Sequence, residues 1–166
     1  WGIVGFARVP MAWVVLGPLS LYLTQDLGLT IEEKFSVVAI PILAGALLRV
    51  PLGMLADHIG PRRTGSLAQI VVIAGMAYAW IFGLHSRLEV ELLGVVLGLA
   101  GASFAVALPQ ASRWYPPKYQ GVVMGIAGAG NSGTVIAMLA APPLALAYGW
   151  RSVYLLGLIP MALAMV

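Results

Sequence analysis

The chain has 166 residues, 61% of them hydrophobic and 9% charged, and a mean hydropathy of +0.97. Soluble proteins carry about 25% charged residues, so the composition excludes an ordinary soluble domain. Cysteine is absent, which rules out a disulfide frame, a thiolate nucleophile and a cysteine metal site; the net charge of +3 comes from basic residues scattered singly or in one pair, not from a patch that would grip nucleic acid.

A membrane-crossing helix takes about 20 mostly apolar residues. Six apolar segments fit that length in chain order, at roughly 1–23, 35–56, 65–84, 92–111, 121–147 and 153–166, the last cut short. Polar stretches divide them: TQDLGLTIEEK (Thr24–Lys34), DHIGPRRT (Asp57–Thr64), HSRLEVE (His85–Glu91), SRWYPPKYQ (Ser112–Gln120) and YGWRS (Tyr148–Ser152). The segments are expected to be helices, because lipid tolerates no open strand edge. The expected fold is therefore an all-α membrane bundle of six transmembrane helices. The chain starts and stops inside apolar runs, so it is expected to be a fragment, and no small-residue cleavage site marks the first run as a signal peptide.

Charge sets the expected orientation. Alternate loops place Arg62, Arg63, Arg113 and Lys118 with Asp57 on one side, and most of the acids on the other. The basic side is expected to face the cytoplasm, which puts the amino terminus inside a multi-pass protein of the inner or plasma membrane. Arg8 sits near the inner end of the first segment, where its stem can reach the headgroups. Trp114, Tyr115 and Tyr119 fall at the inner interface, and Tyr148, Trp150 and Tyr154 at the outer one, as aromatic belts do. His58 and His85 are expected to be solvated loop residues, since neither has a second metal ligand nearby.

In the second segment, Arg49 lies seven residues, or about 10 Å of helix, from Ala56. An arginine near the centre of a membrane helix costs about 2.5–3.5 kcal/mol. It can snorkel, pair with a carboxylate, or face a watery cavity holding an anion. Every acid lies in a loop or at a helix end, and Asp57 is eight residues on and turned about 80° away. Guanidinium is a flat, permanently charged fork whose donors match a planar oxyanion two at a time. The helices hold no acid of the kind that couples transport to protons, so another part of the protein supplies one or anions are exchanged.

In the fifth segment, Gly128–Gly133 spells G-x-G-x-x-G within GIAGAGNSGT. A dinucleotide site would need a strand before it and an acid about 20 residues after it. The preceding stretch is the proline-containing loop RWYPPKYQG, and no acidic residue follows Glu91. The glycines read instead as a small-residue stripe, Gly121, Gly125, Ala129 and Gly133, widened by Gly128 and Gly130, along which two helix backbones can approach. Asn131 must find a partner in the bilayer, either on another helix or on a ligand.

These residues resemble a known family. GMLADHIGPRRT (Gly53–Thr64) resembles the loop signature of the major facilitator superfamily, and LRVPLG (Leu48–Gly53) with GIAGAGNSGT resembles its nitrate/nitrite porter branch. The resemblance implies the amino-terminal six-helix half of a twelve-helix carrier working by alternating access, with residues 1–166 as one bundle and the carboxy-terminal half as its partner. It implies a small inorganic anion, nitrate or nitrite, as substrate, and no cofactor, metal or enzyme activity. Arg49 matches the arginine that grips the anion, Asn131 the signature asparagine at the pocket, and Phe104 the aromatic that stacks on the anion, packing in the core being the other reading. Asp57 matches the acid that latches the two halves, with Arg113 as its partner. His58 departs from the usual basic residue there, which implies a weaker or pH-sensitive latch. The other readings are a facilitator for a different organic anion and, in another class, a membrane sensor.

Overall fold

The computed structural model describes residues 16–103, 106, 115–129 and 132–163, and among them every regular element is helical. The α-helices are α1 (Leu16–Leu27), α2 (Ile31–Ile59), α3 (Pro61–Ile81), α4 (Arg87–Ala102), α5 (Gln120–Ala129), α6 (Ser132–Tyr148) and α7 (Trp150–Leu163), with a 3-10 turn at Pro117–Tyr119 before α5. By length and composition α2 and α3 can cross a membrane, and only 22% and 28% of their most apolar windows is buried. A helix at the core of a soluble protein would be mostly buried, so these two have apolar surface left over for lipid or a partner.

Local chemistry carries the helices past the apolar runs. The Thr30 side chain accepts from the Glu33 N–H at 3.3 Å, and Glu33 Oε2 accepts from the Thr30 N–H at 2.8 Å. This reciprocal capping box starts α2 at Ile31, four residues before the apolar run. Ser86 caps α4 in the same way by accepting from the Glu89 N–H, while Glu89 takes the N–H of His85 at 2.8 Å. The stretch DHIGPRRT is not an open loop: Asp57–Ile59 complete α2, Pro61 opens α3, and Gly60 alone turns the corner with φ 91°. A positive φ costs glycine little, and proline is tolerated at a first helical position, so this pair suits the sharp junction. Thr64 secures it by donating from Oγ1 to the Gly60 carbonyl at 3.1 Å. Gly149, φ 79°, makes the matching one-residue corner between α6 and α7. His58 consequently sits on the last turn of α2, its Nδ1 2.8 Å from the Met54 carbonyl oxygen, and not in a loop.

Packing closes the helices into a ring: α1 lies on α2, α2 on α4, α4 on α3, α3 on α7, α7 on α6, and α6 on α1. The α2–α4 pair is the most extensive. One core cluster draws on all six, including Leu19 and Leu23 from α1, Met76 from α3, Leu97 from α4 and Met161 from α7. A smaller cluster of Leu52, Ala56, Ala68, Ala102 and Val106 sits below it, near the Gly60 corner. Specific hydrogen bonds cross-link distant helices. Tyr22 donates to the Pro142 carbonyl at 3.3 Å, Gln69 Nε2 to the Met161 carbonyl at 2.8 Å, and Trp150 Nε1 to Asp26 Oδ2 at 2.5 Å.

Tyr154 corrects the belt expectation. Its side chain is fully buried in the main cluster, edge-on to Trp150 with ring centroids 6.1 Å apart. α7 packs on both α3 and α6, and Tyr154 lies within that packing, not at the headgroups. Tyr148, 72% exposed, does stand at the surface as expected.

Candidate functional site

The alternation of faces on α2 positions the charged candidate. Val37, Pro41, Gly45, Leu52 and Ala56 form its buried side. Arg49 is exposed at the edge of that side, in line with the exposed Ile42 and Ala46, while Leu43, Leu47, Val50 and Met54, all at least 59% exposed, lie farther round the helix. No described residue hydrogen-bonds or ion-pairs with Arg49. A permanent cation thus stands in an apolar surface with no carboxylate from its own bundle to neutralise it, and any counter-charge comes from outside these helices. The helix α2 continues to Ile59, ten residues or about 15 Å past Arg49.

Asp57 is exposed on the last turn of α2, next to the corner at Gly60. Arg62 and Arg63, both exposed, open α3 on the other side of that corner. The other sequence candidates divide. Gly121, Gly125 and Gly128 lie on α5, and a Cβ built on any of them would meet nothing within 4 Å. Gly133 is in the first turn of α6. Gly130, Asn131, Phe104 and Arg113 lie outside the described residues, as do Arg8 and Trp114.

The glycines that do receive another helix are on α4. A Cβ on Gly98 would lie 2.7 Å from the Ala44 Cβ, 2.9 Å from the Gly45 nitrogen and 3.0 Å from the Pro41 oxygen. A Cβ on Gly94 would meet Ile40 and the Pro41 ring at 3.3 Å. The signal was present in the sequence as G-x-x-x-G at residues 94 and 98, the same small-residue spacing that drew attention to α5.

The far end of the bundle, at Thr30 and Ser86, holds the ion pairs. Arg87 donates from Nη1 to Glu33 Oε1 at 2.9 Å and from Nε to Glu91 Oε1 at 2.6 Å. Glu33 lies in the polar first turn, ahead of the apolar run of α2. Hydrogen bonds from the Thr30 backbone and side chain, then from Arg87, hold its carboxyl below the usual range. Arg87 is held above its ordinary value, first by Glu91 and then by Glu33. Arg151 lies over the Trp150 ring, 5.5 Å from its centroid, and a Cβ on Gly83 would run into its guanidinium. Among the described residues no group of three His, Cys, Asp or Glu side chains could hold a metal ion.

Comparison with known proteins agrees with a bundle of apolar helices. The Major Facilitator Superfamily profile matches residues 2–166. The chain is 37% identical over 152 residues to the nitrite extrusion protein of Bacillus subtilis, covering 92% of this chain and 38% of that protein. It is 35% identical over 155 residues to the probable nitrate transporter NarT of Staphylococcus carnosus, covering 92% and 39%. With the NarT protein of Staphylococcus aureus strain JH9 it shares 33% over 153 residues, covering 90% and 37%. The chain therefore spans less than two fifths of the length of these relatives. A profile match running from residue 2 to the last residue makes the chain a member of the major facilitator superfamily.

Proposed function

We propose that residues 1–166 are the amino-terminal six-helix half of a twelve-helix carrier that moves nitrate and/or nitrite across the inner or plasma membrane by alternating access. The first span would take in α1 and the residues before it. The second and third are α2 and α3, the fourth α4 and its continuation, the fifth α5 with α6, and the sixth α7. The amino terminus is cytoplasmic in this reading, so the Gly60 corner with Arg62 and Arg63 faces the cytoplasm and the Arg87 ion pairs face outward.

One observation carries the reading: Arg49 is exposed and unpaired among the described residues, within the apolar stretch of α2 and beside its buried side. In a carrier of this type substrate binds near the midplane, between two pseudo-symmetric halves. Arg49 is then the clamp, its planar fork donating to two oxygens of a trigonal anion. Phe104 stacks on the anion's flat face, and Asn131 supplies a further polar contact. The open glycine face of α5 is the smooth surface against which the second half slides. Asp57 with Arg113 forms the latch at the cytoplasmic end. The names of the relatives support nitrate and nitrite as the anions, and membership in a transporter superfamily supports transport over catalysis.

The test is Arg49→Lys in the full-length carrier, with nitrate uptake measured in proteoliposomes. Lysine keeps the charge and loses the bidentate fork, so uptake should be largely abolished. Near-normal uptake would sink the proposal.

A further inference from the structure

Helix α2 carries Arg49, but α4 decides where α2 stands. Three separate contacts run the length of the pair. At the outer end Arg87 of α4 holds Glu33 of α2 at 2.9 Å. At the inner end Leu52 and Ala56 pack with Ala102 and Val106. Between them Gly94 and Gly98 receive α2 at the level of Pro41, the first of its two internal prolines, Pro41 and Pro51. Pro41 has no N–H to give the Val37 carbonyl, so α2 is loosened at this level and its path depends on what it leans against.

Gly98 is the tightest of these seats, and two of the three atoms its Cβ would meet belong to backbone. Neither can rotate aside, and Ala44 Cβ is the root of its side chain. Carbon atoms pack at about 3.5–4.0 Å, so a single methyl at residue 98 would push α2 outward by about 1 Å. Gly45, whose nitrogen is one of the atoms met, is one helical turn before Arg49, about 6 Å along the axis. Arg49 would be carried with it.

We infer that Gly98 is the positioning residue for Arg49: the close approach it permits between α4 and α2 sets the depth at which the guanidinium meets the anion. The inference rests on Arg49 being the anion clamp. Gly98 itself touches no substrate in this scheme, and its effect passes through α2.

The experiment compares nitrate KM and kcat in proteoliposomes of the full-length carrier, with thermal stability of the purified protein measured alongside. Gly98→Ala should raise KM by about tenfold or more, since a 1 Å misplacement of a binding group is costly, while the protein stays folded. Gly94→Ala should raise it far less, because its new methyl would meet only side-chain atoms, at 3.3 Å, and farther from Arg49. Adding Ala44→Gly to Gly98→Ala removes the nearest clash and should recover part of the loss. If Gly98→Ala does not accumulate, Ala44→Val loads the same contact from the α2 side and should raise KM instead. An unchanged KM in a folded Gly98→Ala or Ala44→Val protein overturns the inference, as does a loss of kcat and stability with KM intact. Arg49→Lys separates the two levels. If it transports normally, the anion-clamp reading fails; if it is inactive while Gly98→Ala keeps its KM, only the positioning role fails.

Discussion

Arg87 Nη1 lies 2.9 Å from Glu33 Oε1, which joins the first turn of α4 to the first turn of α2 across 54 residues of sequence. The same guanidinium holds Glu91 one turn on, and Glu33 also serves the Thr30 cap. One arginine thus links two carboxylates, a helix start and the α2–α4 pair. All three side chains remain partly solvated, so the link is open to salt and pH.

Replacing Arg87 by Gln should lower thermal stability of the purified protein in detergent modestly at low ionic strength. The difference from wild type should shrink in about 1 M salt, where the Debye length falls to about 3 Å. Melting curves at the two salt concentrations check this. A difference that does not respond to salt would mean that Arg87 acts through the packing of its stem instead.

Acid should weaken the same link. The Glu33 carboxyl is held below its ordinary value of 4.5, chiefly by the Thr30 hydrogen bonds. A depressed carboxylate contributes stability that is present above the unfolded value and lost as pH falls through the folded one. Stability should therefore fall below about pH 4.5, and Glu33→Gln should remove part of that dependence while lowering stability near neutrality. Melting temperatures taken from pH 7 down to pH 3 in both proteins decide it; parallel curves would show that Glu33 is not the group responsible.

Tyr154 offers an opposite sign. Its hydroxyl is buried and has no hydrogen-bond partner among the described residues. Removing a buried, unsatisfied polar group takes away a desolvation cost of about 1–3 kcal/mol. Tyr154→Phe should leave stability unchanged or raise it by about 1 kcal/mol, with the edge-on contact to Trp150 retained. Measured destabilisation beyond about 1 kcal/mol would reveal a partner for the hydroxyl.

Gly125 separates folding from transport. A Cβ there meets nothing within 4 Å, so Gly125→Leu should leave membrane insertion and the stability of this bundle close to wild type. In the proposed carrier the same change obstructs the face that the second half slides along, so nitrate uptake should drop sharply. Equal loss of insertion and uptake would mean that the stripe serves only to fold the helix.

Much of the architecture is local information and was legible in the residues. Apolar runs announce helices because hydropathy is a sum over neighbours, and Arg49 is conspicuous in one of them for the same reason. The Thr30–Glu33 and Ser86–Glu89 spacings also state where α2 and α4 begin, although charges at the ends of the runs placed both starts too late. What the residues alone did not decide is which faces meet. Gly94 and Gly98 share their four-residue spacing with Gly121 and Gly125, yet the first pair is pressed against α2 and the second faces open space. Tyr154 has the sequence position of a belt residue and lies in the core. Small-residue spacing says only that a helix can be approached closely. Whether it is approached depends on partners 50 or more residues away, so Gly98 becomes meaningful only once Pro41, Ala44 and Gly45 are set beside it.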